Sequence, residues 1–353
     1  MNYNFLIIGY FGLKTDQIDG QTIKTQSIHK LIKENFRDSK VDIFDTESLK
    51  YNKSEILVLF FKIIKSKNII LIPGKNNLDK AFNIISDICF SLKKSLYLFA
   101  VGGWLPEYVC ENIAKRDRFK RVKQIFVESF SMKKRLSDLD LFNVEVFPNF
   151  RVLSDLENLD HNNVDARFDI KNDEFRIVFC ARVCKEKGYD YLFDLLAYYN
   201  SNVSMFSKKI VIDFYGPLDS KDQVDFFDKL AKYDAARYLG VLSPNTIHSY
   251  LINYDVCILP SNYEGEGFPG TIIDAYLSGI PVVVSKWKDL PEFVKEGYSG
   301  YVFNLENEME LFEVVQNLAN NDSLLKELKE NCVEYRKRFS DDTALRILES
   351  HIN

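Results

Sequence analysis

YEGEGFPGTIIDAYLSGIPVVV, residues 263–284, follows an apolar run, Asp255-Val-Cys-Ile-Leu-Pro260, of the length and composition of a buried strand. Two carboxylates, Glu264 and Glu266, stand among glycines in the turn. Gly270 to Leu277 then reads as a helix, Ser278-Gly279-Ile280-Pro281 ends it, and Val282 to Val284 begins another strand. In a strand-loop-helix unit the loop and the helix N-terminus lie at the carboxyl edge of the sheet, where open α/β sheets bind ligands. Unpaired backbone N–H groups there favour an anion such as a phosphate. Carboxylates beside them suit sugar or ribose hydroxyls, so the chemistry demanded is that of a nucleotide-sugar. The plain alternative is a solvated acidic loop before an amphipathic helix.

Outward from this segment the pattern repeats. Short β-branched or aromatic runs alternate with helix-length segments, which predicts parallel sheets wound by helices. Strands are expected at Phe5–Ile8, Val41–Phe44, Ile69–Ile72, Leu96–Val101, Gln124–Val127 and Val144–Phe147. A second set is expected at Arg176–Cys180, Ile210–Tyr215, Tyr238–Leu239, Val256–Leu259, Val282–Val284 and Gly300–Phe303. Asn149 to Asp173 is polar and irregular, the best linker. The 353 residues therefore divide into domains at 1–160 and 161–338, with a last helix, Asp341–Ser350, in a 339–353 tail.

Apolar residues make up 46% and charged residues 27%, the balance of a globular protein, and no apolar run reaches the roughly 18 residues of a membrane span. The opening MNYNFLIIGYFG lacks a basic lead and reads as a first buried strand rather than a secretory leader, so a cytoplasmic protein is expected. Six scattered cysteines without zinc spacing are expected to be buried free thiols. Net charge is −5, unevenly shared: residues 1–150 carry 24 Lys+Arg against 17 Asp+Glu, a balance of +7. Much of that excess lies in Lys115–Lys123 and Lys133–Arg135. Such a patch suits the anionic inner face of a membrane, to which the protein would bind peripherally; a merely solvated face is the alternative. No nucleic-acid motif accompanies it.

A second motif follows the first strand of the second half, Phe179-Cys-Ala-Arg-Val-Cys-Lys-Glu-Lys-Gly188. Arg182 presents a planar fork and Lys187 a point charge, together the cationic clamp that a departing diphosphate needs without a metal. The spacing of Glu266 and Asp274, with seven residues between, and of Arg182 and Lys187, with four, resembles the retaining GT-B glycosyltransferases of the family 4 type. Bacterial capsule and O-antigen assembly enzymes are the nearest in phrase. The family has Glu where Asp274 stands and Gly where Ala181 stands.

The resemblance implies a GT-B architecture, two doubly wound Rossmann-like domains facing across a cleft, with the last helix returning to the first domain. It implies that Glu266 contacts donor-sugar hydroxyls, Asp274 the ribose, and Arg182 and Lys187 the diphosphate. Glu264, Gly267, Phe268, Pro269, Gly270 and Thr271 complete the donor loop, with Asn262 and Tyr263 as its wall, while Gly216, Leu242 and Ser243 line the base pocket. From the first half, Gly20 and Gln21 approach the diphosphate, Lys24 faces donor or acceptor, and Gly103 and Trp104 meet the sugar, Trp104 by stacking. Many relatives carry a histidine near that last point; His29, His161, His248 and His351 all lie elsewhere.

The function implied is retaining transfer of a hexose-type sugar from a nucleoside diphosphate, UDP foremost, to a saccharide acceptor carried on a lipid diphosphate. It would serve surface polysaccharide assembly and use no metal or cofactor. A sugar-nucleotide epimerase of the same architecture and a catalytically silent sugar-nucleotide-binding subunit are the rival readings.

Overall fold

The computed structural model describes residues 3–13, 20–36, 39–152, 173–244 and 246–352, without the side chains of residues 76, 77, 79 and 80. His161 and most of the expected linker lie outside the described residues. The chain forms two compact units, Met1–Arg151 with Phe339–Asn353, and Val152–Arg338.

In the first unit, β1 (Tyr3–Gly9), β2 (Val41–Asp45), β3 (Ser66–Ile72), β4 (Ser95–Phe99), β5 (Gln124–Val127) and β6 (Val144–Val146) form one sheet, ordered β2-β1-β3-β4-β5-β6. Every neighbouring pair is parallel. Parallel strands are buried on both faces, which is why they read as continuous apolar runs. One face packs Leu6, Ile8, Leu71 and Leu98 against Leu59, Ile63, Phe82 and Leu136 of the helices. The other packs Ile7, Phe99 and Phe126 against Ile28 and Leu31 of the helix Gly20–Asn35. Ala344, Leu348 and Ile352 share that second face, so the last helix, Asp341–His351, completes the core of the first unit. The chain is tied there through Arg151 N to Phe339 O and Asp341 N to Arg151 O, at 3.0 and 3.1 Å.

The second unit repeats the construction with β7 (Glu174–Cys180), β8 (Lys209–Tyr215), β9 (Ala236–Tyr238), β10 (Val256–Leu259), β11 (Val282–Ser285) and β12 (Gly300–Phe303). Its order is β12-β11-β10-β7-β8-β9, again all parallel. The chain runs outward from β7 to β9, returns to β10, and runs outward the other way. The order therefore reverses between β7 and β10, and in open α/β sheets the carboxyl ends of the strands at such a reversal are where ligands bind. Both sequence motifs sit there: Arg182 follows β7 and Glu266 follows β10. All twelve expected strands are present, as is the helix Gly270–Leu277.

Two expectations about the surface change. Cys110 is exposed, while the other five thiols are buried. The basic segments are largely paired to acids from distant elements: Arg118 with Asp87, Arg116 with Asp140, Lys133 with Glu145 and Arg135 with Glu107. Arg121 lies over the Phe90 ring and Lys123 over Tyr97. That run of charge is chiefly a set of intramolecular contacts.

Candidate active site

After β7 the chain must turn sharply to start the helix Tyr189–Ser201, and Gly188 makes the turn at φ +83°. A Cβ at Gly188 would fall 2.0 Å from the Pro260 carbonyl oxygen, so only glycine lets this loop lie against the end of β10. Two further bonds fasten the loops: Asn262 N donates to Glu186 O at 2.9 Å, and Thr271 Oγ1 donates to Cys180 O. The first turn of the helix Gly270–Leu277 is thereby pinned to the end of β7.

This fastening brings Lys187 to Glu266. The ammonium lies 2.7 Å from both carboxylate oxygens, with the two side chains 13% and 5% exposed. Ser261 Oγ donates to Glu266 Oε2 as well. The Tyr263 ring is shared by two cations, with Lys187 Nζ 4.9 Å and Arg182 Cζ 5.3 Å from its centre. Such contacts hold a cation by the ring's quadrupole without neutralising it. Partial burial works against the Arg182 charge, yet the neighbouring Cys184 and Tyr263 outweigh it and its pKa is raised. Tyr263 is itself fixed through its carbonyl, which accepts from Trp287 Nε1 at 2.9 Å and from Glu266 N at 3.1 Å. Arg182, Lys187, Tyr263 and Glu266 thus form one cluster, joining cations suited to phosphate with a carboxylate suited to hydroxyls.

The other residues singled out in the second unit divide by what they touch. Asp274 is nearly buried in the helix Gly270–Leu277, its carboxylate 3.9 Å from His248 Nε2. Burial and then the nearby Asp274 charge push the Cys180 thiol up to about 12. Glu264 is largely exposed and paired with Lys288 at 2.9 Å. Phe268 is not a lining ring: it stacks on Phe293 with centroids 3.8 Å apart in the core. Gly267 is buried beside it, and Pro269, Gly270 and Thr271 are half-buried at the helix start. Gly216, at φ +135°, passes so close to Ala181 that a Cβ would meet its carbonyl oxygen at 1.8 Å. Packing therefore explains that glycine. Leu242 is half-buried and Ser243 exposed. A cavity of about 340 Å³ opens nearby, lined by Lys185, Glu186, Asp190, Tyr191, Asp194, Asn262 and Glu308. Its lining is mainly acidic, and burial and then Asp190 raise the pKa of Asp194, so it is poorly suited to a diphosphate.

At the carboxyl edge of the first sheet, the expectations need correction. Trp104 is only 7% exposed; it packs edge-on against Tyr108 in the core and donates from Nε1 to Val101 O at 2.6 Å. It offers no face to a sugar. Lys24 is buried and paired with Glu128 at 2.6 Å, and Glu128 also accepts from Gly102 N at 3.1 Å. Burial lowers the Lys24 pKa, with Glu128 opposing the shift. This lysine serves to join the helix Gly20–Asn35 to the ends of β4 and β5. Gln21 donates to Ile72 O at 3.3 Å and lies against Gly74, binding the same helix to β3. Gly20 begins that helix with open space where a Cβ would stand, and Gly103 is buried.

Sequence reasoning missed Ser261, Glu128 and His248. A serine five residues before Glu266 and a glutamate just past β5 were both visible, but no pattern marked either as a partner. His248 reaches Asp274 from another element and gave no local signal.

Among known proteins, the chain is 27% identical over 167 residues to an uncharacterized 41.2 kDa protein in the cps region of Klebsiella pneumoniae. It is 23% identical over 198 residues to the capsular polysaccharide biosynthesis glycosyltransferase CapM of Staphylococcus aureus. The matches cover 47% and 55% of this chain, and span 42% and 50%, about half, of those relatives' own length. Among solved structures, HepE of Anabaena in complex with UDP and glucose aligns over 99% of both chains, with a TM-score of 0.72 at 15% identity. The shared fold is that of the GT-B glycosyltransferases. The model of the glycosyl transferases group 1 family matches residues 160–339, just over half of the chain and the whole of the cluster described above. The chain belongs to that family.

Proposed function

We propose that the protein is a retaining glycosyltransferase of the family 4 type. It moves a hexose-type sugar from a nucleoside diphosphate, UDP in the first instance, to a saccharide acceptor on a lipid diphosphate in surface polysaccharide assembly. The observation that carries the reading is the ion pair of Lys187 with Glu266 at the strand-order reversal, with Arg182 held beside it over Tyr263. Arg182 and Lys187 stabilise the diphosphate as its bond to the anomeric carbon breaks. The acceptor oxygen bonds to that carbon on the same face, and its proton passes to a departing phosphate oxygen. Glu266 holds the sugar, Asp274 the ribose, and no metal is needed. Electrostatic stabilisation aimed at the leaving group commonly accounts for about 10²–10³ in rate per donor.

Capsular polysaccharide biosynthesis by the named Staphylococcus aureus relative supports the acceptor class. A complex of UDP and glucose with a protein of the same fold supports the donor class. Ligand-detected NMR with UDP, GDP, ADP and CMP identifies the base, and a panel of sugars on that nucleotide then identifies the donor. Glu266→Gln is expected to lose turnover about 10²–10³-fold while still binding the free nucleotide, and EDTA is expected to leave turnover unchanged. Full turnover by Glu266→Gln would remove the assignment.

A further inference from the structure

The helix Glu55–Lys65, EILVLFFKIIK, buries only Leu59 and Ile63 against the first sheet. Ile56, Leu57, Phe60, Phe61 and Ile64 are all exposed, Leu57 by 61% and Phe61 by 59%. Their spacing, i, i+1, i+4, i+5 and i+8, places them on one continuous helix face. Monomeric proteins rarely present so contiguous an apolar surface to water, and one rimmed by polar groups marks an interaction site.

The rim is basic. Residues 48–67 hold five lysines, Lys50, Lys53, Lys62, Lys65 and Lys67, against a single acid, Glu55. Lys62 is paired with Asp42 at 2.6 Å, whereas Lys53, Lys65 and Lys67 are exposed. Lys94 reaches from the end of the neighbouring helix to Ile64 O at 2.8 Å, adding cationic charge beside the C-terminus of this helix. Tyr51, just before the helix, is also exposed.

Two occupants would cover such a face, and the charge separates them. A second copy of the chain would pair the face with itself, because a two-fold interface is isologous, and would set the lysines of one rim against those of the other. An anionic bilayer surface complements the same rim. Apolar side chains enter the headgroup boundary, an aromatic belt sits at that depth, and lysines extend along their stems to phosphate. We infer that the helix Glu55–Lys65 is an interfacial anchor through which the first unit docks on a membrane rich in anionic lipid. The anchor differs from the basic segments Lys115–Lys123 and Lys133–Arg135, whose charges are largely engaged within the protein.

Sedimentation with phosphatidylcholine vesicles, with and without phosphatidylglycerol, tests this. The full chain is expected to sediment with the anionic vesicles and to be released in part by high salt. The double variant Leu57→Glu/Phe61→Glu is expected to lower the partition at least about tenfold while keeping the wild-type melting temperature, since both side chains lie outside the core. Lys134→Glu, an exposed lysine between the paired Lys133 and Arg135, should sediment as wild type. Three results would overturn the inference: no sedimentation of the wild-type chain, unchanged sedimentation of Leu57→Glu/Phe61→Glu, or a concentration-dependent dimer that this variant abolishes without any vesicle binding. The assay reads no turnover, so its failure leaves the donor-site proposal untouched.

Discussion

Lys187 and Glu266 are held in contact where little water reaches either. Removing one partner alone strands the other: Lys187→Ala should cost about 3 kcal/mol of stability, because among the described residues the Glu266 carboxylate then keeps only the Ser261 hydroxyl. Chemical denaturation of Lys187→Ala, Glu266→Gln and the double variant forms a cycle that measures this coupling. The double variant is expected to be more stable than Lys187→Ala, and strict additivity would show that the pair does not interact in solution. Gly188→Ala tests the turn that brings the pair together. With its Cβ 2.0 Å from Pro260 O at a left-handed φ, it should lose about 2–4 kcal/mol. At this scale the sequence was informative about Arg182, Lys187 and Glu266, because fixed spacings on two strand ends mark a shared edge. It was silent on Glu128, whose partner Lys24 lies 104 residues away. Pairings over such distances leave no local pattern.

Elements were more legible than contacts. Strands buried on both faces must be apolar throughout, so twelve short runs stood out, and the helix after β10 was marked by Gly270 at its start and Ser278-Gly279 at its end. What an element does with a given face was harder to foresee. Trp104 follows two glycines, a context that fits a sugar platform as well as a turn packed into the core; only the three-dimensional neighbours Val101 and Tyr108 decide. Trp104→Ala should therefore destabilise the fold by about 3–5 kcal/mol, whereas Trp104→Phe should keep the KM for donor near wild type. A large rise in that KM with unchanged stability would restore the stacking role. The ion pairs of the basic segments were hidden from the sequence for a similar reason. Asp87, Glu107 and Glu145, which neutralise much of their charge, come from other elements.

For the molecule as a whole, ligand linkage separates nucleotide recognition from sugar recognition. UDP at about one hundred times its Kd should add about 2.7 kcal/mol to the stability of the unit it binds. On the proposed assignment Glu266→Gln retains most of that gain and Lys187→Ala loses much of it, a comparison that thermal unfolding with and without UDP makes directly. Equal gains in both variants would place the diphosphate elsewhere. The division into units also has a bearing on biosynthesis. Residues 341–352 close the core of the first unit, with Leu348 fully buried beside Phe126 and Phe147, and they follow the whole of the second unit in the chain. A ribosome emits all of the second unit before it emits the segment that seals the first. The first unit must therefore wait, one apolar sheet face partly uncovered, while the part translated after it has already matured, a reversal of the usual N-to-C order of domain completion.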